Sequence, residues 1–181
     1  MQGILLFLVK CFYLMLPAYF ANMAPVIVKK INFLAFPVDF GAKLGNEPVF
    51  GRNKTFRGFF FGILFAVAIA LAQSRLHWLD FFSGISFFGY ESWLLFGFLM
   101  GLGALAGDLV KSFFKRRLGI KPGDRFVPFD QTDFVIGALV FVMPVFVLTP
   151  NIFLATLALS FVLHIIVNHT SFYLGIRNEK W

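Results

Sequence analysis

A chain of 181 residues that is 59% hydrophobic and 19% aromatic, with a mean hydropathy of +0.82, is too apolar for a soluble domain of its size. The net charge of +7 does not mark a nucleic-acid binder, because the cations lie in short segments that hug apolar stretches. What remains is an all-α integral membrane protein, a single transmembrane domain over residues 1–181.

A helical span needs about 20 mostly apolar residues. Five stretches are candidates: residues 3–23, 58–73, 92–110, 134–148 and 152–174. The second and fourth are short, so they are expected to extend into their flanks or to sit where the protein is thin. The first lacks a basic start and a small-residue cleavage site before Pro17 and Pro25, and it reads as a span rather than a signal peptide. Cys11 lies alone in it, which excludes a disulfide framework and a cysteine metal site.

The first basic loop, residues 24–57, holds Lys29, Lys30, Lys43, Arg52, Lys54 and Arg57. Its segment Gly51-Arg52-Asn53-Lys54-Thr55-Phe56-Arg57-Gly58 is dense in phosphate-binding groups. Glycines free the backbone N–H groups, Thr55 offers a hydroxyl, and Lys54 and Arg57 offer cations. The spacing is not that of a Walker A loop. Each cation also has a plainer reading, retention on the cytoplasmic side and attraction to anionic headgroups.

Residues 74–91 carry only Arg75 among Lys and Arg, and with Trp78, Tyr90 and Trp93 they read as an interfacial loop anchored by aromatics. In the third stretch, Gly97 and Gly101, then Gly103 and Gly107, are small residues four apart, a pattern for close helix packing. The stretch runs on as a helix through Gly107–Arg117, with Asp108, Ser112 and Lys115/Arg116 on one face. An Asp near the bilayer centre costs roughly 2.5–3.5 kcal/mol, less at the interface. Asp108 is therefore expected to face inward with a partner, which for a purely structural role would be Lys111 or Lys115.

The second basic loop, residues 111–133, holds Lys111, Lys115, Arg116, Arg117, Lys121 and Arg125 beside Asp124, Asp130 and Asp133. Pro122-Gly123 reads as a turn and Pro128 as an extended segment. Asp130 and Asp133 open the fourth stretch, where N-capping would suit one of them. Two acids three apart project the same way and repel unless a cation lies between them. Mg²⁺ takes one or two carboxylates plus substrate phosphates. Asp108, Asp130 and Asp133 are the expected metal ligands. Thr149-Pro150-Asn151 is a tight turn, and His164 and Asn168 share a face of the last stretch, for an interhelical hydrogen bond or a substrate contact.

Each basic loop carries six cations, and the tail adds Arg177 and Lys180. The positive-inside rule then places both loops and the C-terminus in the cytoplasm and the N-terminus outside, as five spans require.

Taken together, Gly107–Arg116 with Lys121 and the paired acids resembles the CDP-diacylglycerol synthase superfamily. The closer likeness is to its short archaeal branch, the CDP-archaeol synthases. Leu16–Asn22, Asn53–Gly58, Lys115–Arg125, Asp130–Phe134 and His164–Asn168 resemble that branch, nearly the whole chain in all. It departs from the wider signature in lacking a His-Gly-Gly element and in reading Asp130-Gln131-Thr132-Asp133 where Asp-Arg-x-Asp is usual.

The resemblance implies a Mg²⁺-dependent cytidylyltransferase at the plasma membrane, working on CTP and a lipid phosphate and releasing pyrophosphate. It implies catalytic roles for Asp108, Lys115, Arg116, Asp130 and Asp133, with Lys115, Arg116, Lys121 and Arg125 facing the triphosphate. Asn53, Lys54, Thr55 and Arg57 would serve nucleotide or lipid phosphate, and Ser112, His164 and Asn168 are further candidates for substrate contact. Asp124 is either a further metal contact or the partner of Arg125. An ester-linked lipid phosphate is an alternative acceptor. A CDP-alcohol phosphotransferase is disfavoured, because its Asp-Gly-x-x-Ala-Arg motif is missing. A small transporter with a carboxylate ion site would carry its charges near mid-membrane and usually an internal repeat.

Overall fold

The computed structural model describes residues 2–121 and 124–173. The expected Pro122-Gly123 turn and the tail cations Arg177 and Lys180 lie outside the described residues. Four helices are long and apolar enough to cross a membrane: α1 (Gln2–Ile27), α2 (Phe56–Leu76), α4 (Trp93–Arg117) and α6 (Pro150–Tyr173). A five-residue helix, α3 (Asp80–Gly84), follows α2, and α5 (Phe129–Val142) lies between α4 and α6. Loop one contains a two-stranded antiparallel hairpin, β1 (Lys43–Leu44) with β2 (Glu47–Pro48).

The fourth expected span is the one that differs. Helix α5 begins at Phe129, five residues before the expected boundary, and ends at Val142. Its 14 residues rise about 21 Å, short of a hydrocarbon core about 30 Å thick. The early start puts Asp130 and Asp133 in its first turns. Pro128, expected to be extended, has φ −88° and ψ 3° and leads directly into the helix.

Small residues set the helix spacing. Gly97 and Gly101 on α4 face Val67, Ala66 and Ile63 on α2, so that a Cβ at either position would meet backbone or Ala Cβ atoms. Gly103 and Gly107, further along α4, lie against Gly137 and the Asp133 carbonyl of α5. On α1, the Ala21 carbonyl and Pro25 approach Gly62 and Gly58 of α2. Helix α6 packs on α1 and α5, with Tyr19 and Ser160 joined by a 2.6 Å hydrogen bond. These antiparallel contacts gather the C-termini of α1 and α4 and the N-termini of α2 and α5 at one end of the bundle.

The opposite end is aromatic. Phe88, Phe96 and Phe146 pack with ring centroids 4.9–5.3 Å apart, and Tyr90 joins them at 5.5 Å from Phe96. Trp78 is exposed as expected of an interfacial anchor, but Tyr90 is buried in this core. Its place next to Tyr13 on α1 depends on the tertiary fold.

Candidate active site

At the charged end, α4 and α5 cross so closely that the backbones of Gly107 and Asp133 touch. That approach brings three carboxylates around one ammonium. Lys111 Nζ lies 2.8 Å from Asp133 Oδ2, 3.1 Å from Asp108 Oδ1 and 3.3 Å from Asp130 Oδ1. Lys54 from loop one pairs with the other oxygen of Asp108. Lys115 lies 3.3 Å from Asp130 and also donates to the Asp124 carbonyl. Three acids thus face three ammoniums, largely removed from solvent. The expected convergence of Asp108, Asp130 and Asp133 is present, and Lys111 stands at its centre.

Asp130 is not an N-cap. Its Oδ2 accepts from the Phe126 N–H at 2.6 Å, tying the preceding loop to α5. Ser112 is buried, and its hydroxyl donates to the Asp108 carbonyl at 2.8 Å.

The donor chemistry suits a hard cation, since all three side chains are carboxylates. The Asp133 side chain is only 6% exposed, and its buried Oδ2 is met by Lys111 at 2.8 Å. Among the described residues, however, no three His, Cys, Asp or Glu side chains are placed to hold an ion as they stand. Lys111 fills the place one would take.

Two large cavities meet at this cluster. The first, about 480 Å³, is lined by Gly51, Arg52, Asn53 and Lys54 of loop one and by Lys111, Ser112, Lys115 and Arg116 of α4. Arg116 is buried there with its Nε unpaired. The second, about 550 Å³, runs along the α4–α5 seam between Val110, Phe114, Phe129, Ile136, Val140 and Phe141, with Lys111 and Asp133 as its charged members. Its walls are otherwise apolar.

Loop one is held in place partly by Arg117 and Asp39, to which the sequence assigned no such role. Arg117, at the end of α4, donates to the carbonyls of Leu44 and Pro48 at 2.8 and 2.7 Å, fastening the hairpin. Asp39 accepts the N–H groups of Phe50, Gly41 and Gly51 at 2.9–3.1 Å. Burial works against its charge, yet these N–H groups hold the carboxyl below the usual carboxylate range. Thr55 caps α2, accepting from the Gly58 N–H at 3.2 Å. Arg57 donates to the Ile31 carbonyl at 2.5 Å. Both therefore shape the loop, and neither lines the larger charged cavity.

A family model described as CarS-like CDP-archaeol synthase matches residues 4–181. The chain belongs to that family. A CDP-archaeol synthase of Thermofilum pendens is 36% identical over 172 residues, spanning 92% of this chain and 78% of that protein. One from Pyrococcus abyssi is 35% identical over 177 residues, 95% of this chain and 97% of the relative. A solved structure described as an intramembrane enzyme for archaeal membrane lipids biosynthesis is similar at a TM-score of 0.65 and 33% identity, covering 86% of this chain and 90% of that one.

The remaining candidates of this family member lie further out. Lys121, Asp124 and Arg125 are exposed in loop two. His164 and Asn168 on α6 are 3.0 Å apart, Nδ1 to Nδ2, and line neither cavity. Lys111 is the central residue of this cluster that sequence reasoning passed over, having placed it only as one cation among six and as a salt-bridge partner for Asp108.

Proposed function

We propose that the chain transfers the cytidylyl group of CTP to a membrane lipid phosphate of the 2,3-bis-O-geranylgeranylglycerol 1-phosphate type, forming CDP-archaeol and releasing pyrophosphate. One observation carries the assignment of substrates to places: a polar, cation-lined cavity and an apolar groove share Lys111. The triphosphate fits the first, where Arg52, Lys54, Lys115 and Arg116 converge. The isoprenoid tails fit the second, with the lipid phosphate at its Lys111 and Asp133 end.

In this arrangement a lipid phosphate oxygen attacks the α-phosphorus in line. The new P–O bond forms as the bond to pyrophosphate breaks. A phosphate monoester is already anionic at neutral pH, so no strong general base is required, and catalysis rests on positioning and charge neutralisation. Asp108, Asp130 and Asp133 would hold Mg²⁺, whose charge when bound screens the repulsion between the two polyanions. Arg116 and Lys115 take the growing charge on the leaving pyrophosphate, while the apolar seam keeps the tails in the bilayer. The basic loops favour the cytoplasmic side of the plasma membrane for this end, where CTP is available.

The test is label transfer. Detergent-purified protein is incubated with Mg²⁺, α-labelled CTP and either an archaetidic-type or a phosphatidic acid. Label entering lipid, dependent on Mg²⁺ and lost in Asp133→Asn, is the expected result, and the two acceptors are ranked by rate. Folded protein that labels neither lipid would refute the assignment and favour an ion-transport role for the carboxylates.

A further inference from the structure

Lys111 stands where a divalent ion would be expected. Its ammonium lies within 3.3 Å of an oxygen of each of Asp108, Asp130 and Asp133. Lys54 and Lys115 complete the neutralisation from the flanks. An ion entering this cluster as it stands would add two charges beside three ammoniums, in a site where water screens little. The lysine stem is flexible, and Lys111 borders both cavities, so its head has two anionic destinations once substrates arrive. The nearly buried Asp133 Oδ2, which Lys111 meets at 2.8 Å, is the atom that its departure would leave ready for a hard cation.

We propose that Lys111 is a placeholder cation. It neutralises the carboxylates of the free protein, keeps a divalent ion out, and turns to substrate phosphate when the nucleotide brings the ion in. This rests on the cytidylyltransferase reading for the identity of the substrates, but not for the behaviour of the free protein. Metal and nucleotide would then enter together, and each would raise the affinity of the other by the same factor.

The experiment titrates Mn²⁺, as a paramagnetic probe, into the full detergent-purified chain without nucleotide. Wild type, Lys111→Gln and Lys111→Arg are compared, with helicity and monodispersity checked for each. Lys111→Gln is expected to bind Mn²⁺ at least about tenfold more tightly than wild type, because a like charge has been removed from contact distance. Lys111→Arg, which keeps the charge, is expected to bind as weakly as wild type. A merely structural lysine would give the opposite sign, since its loss would loosen the site. Folded Lys111→Gln binding no more tightly than wild type overturns the proposal. Wild type alone supplies a second test should that variant not fold: tight Mn²⁺ binding without nucleotide overturns it, and weak binding that tightens with CTP beyond the ion's affinity for free CTP supports it. Label transfer by the wild type tests the functional reading separately, so failure of one is distinguishable from failure of the other.

Discussion

The two cavities at the charged end are close in size, about 480 and 550 Å³, and opposite in lining. One is walled by loop one and the outer turns of α4, and its cations come from segments far apart in the chain. The other is a seam between two helices whose glycines let them nearly touch, and almost everything facing it is hydrocarbon. Lys111 belongs to both. On the proposed assignment, the contrast is what brings a water-soluble polyanion and a membrane-bound one to a single point without either leaving its own medium. It also divides the chain into parts that should fail in different ways.

The largest effect is expected at the carboxylate that pairs with the shared Lys111 and with Lys54. Asp108→Asn leaves Lys54 and Lys111 short of a counter-charge and should lower label transfer at least about 100-fold. A loss confined to CTP affinity, measured by equilibrium binding, would break the view that Asp108 acts on both sides through its pairs with Lys54 and Lys111. Next comes the seam itself. A Cβ at Gly137 would meet the Gly103 carbonyl and the Gly107 backbone, which cannot yield cheaply. Gly137→Ala should therefore cost about 1–3 kcal/mol, read as a lowered Tm, with lipid turnover impaired more than CTP binding.

Loop one gives smaller effects. Thr55→Ala removes the cap of α2 and should cost about 1 kcal/mol by thermal unfolding. A much larger loss of activity than of stability would instead make the Thr55 hydroxyl a substrate contact. Asp39 should give the smallest effect. Its folded-state carboxyl is held below the usual range, so it stabilises the fold above that range, and the contribution is lost as pH falls through the lowered value. Melting curves of wild type should show slightly more acid sensitivity than those of Asp39→Asn.

Much of this site was legible in the sequence. Spacing alone placed Asp108, Ser112, Lys115 and Arg116 on one helix face, and the i,i+3 acids at the start of the next helix pointed to a shared cation. The glycine pairs of α4 were legible too, as packing signals. Lys111 was not, because beside Lys115, Arg116 and Arg117 it looks like one more retention charge. Only the Gly107–Asp133 approach brings a second helix to it. Nor could local spacing show that Arg117 reaches back to Leu44 and Pro48, or that Asp39 gathers the N–H groups ahead of Lys54. Thr55 carried a second readable signal that was left unread: a threonine just before a helical apolar run is also a cap. The start of α5 at Phe129 was hidden because Asp130 and Asp133 break the apolar pattern in its first turns.

The division of substrates is tested most directly by measuring KM for CTP and for the lipid phosphate in Arg116→Met and Val140→Trp. Arg116 is a buried charge in the polar cavity, and its loss should raise KM for CTP about 10- to 100-fold with the lipid KM little changed. Val140→Trp fills the apolar seam and should raise the lipid KM roughly tenfold while leaving KM for CTP near wild type. If each substitution instead weakens both substrates alike, or the effects fall the other way round, the two cavities do not divide the substrates and the account is wrong.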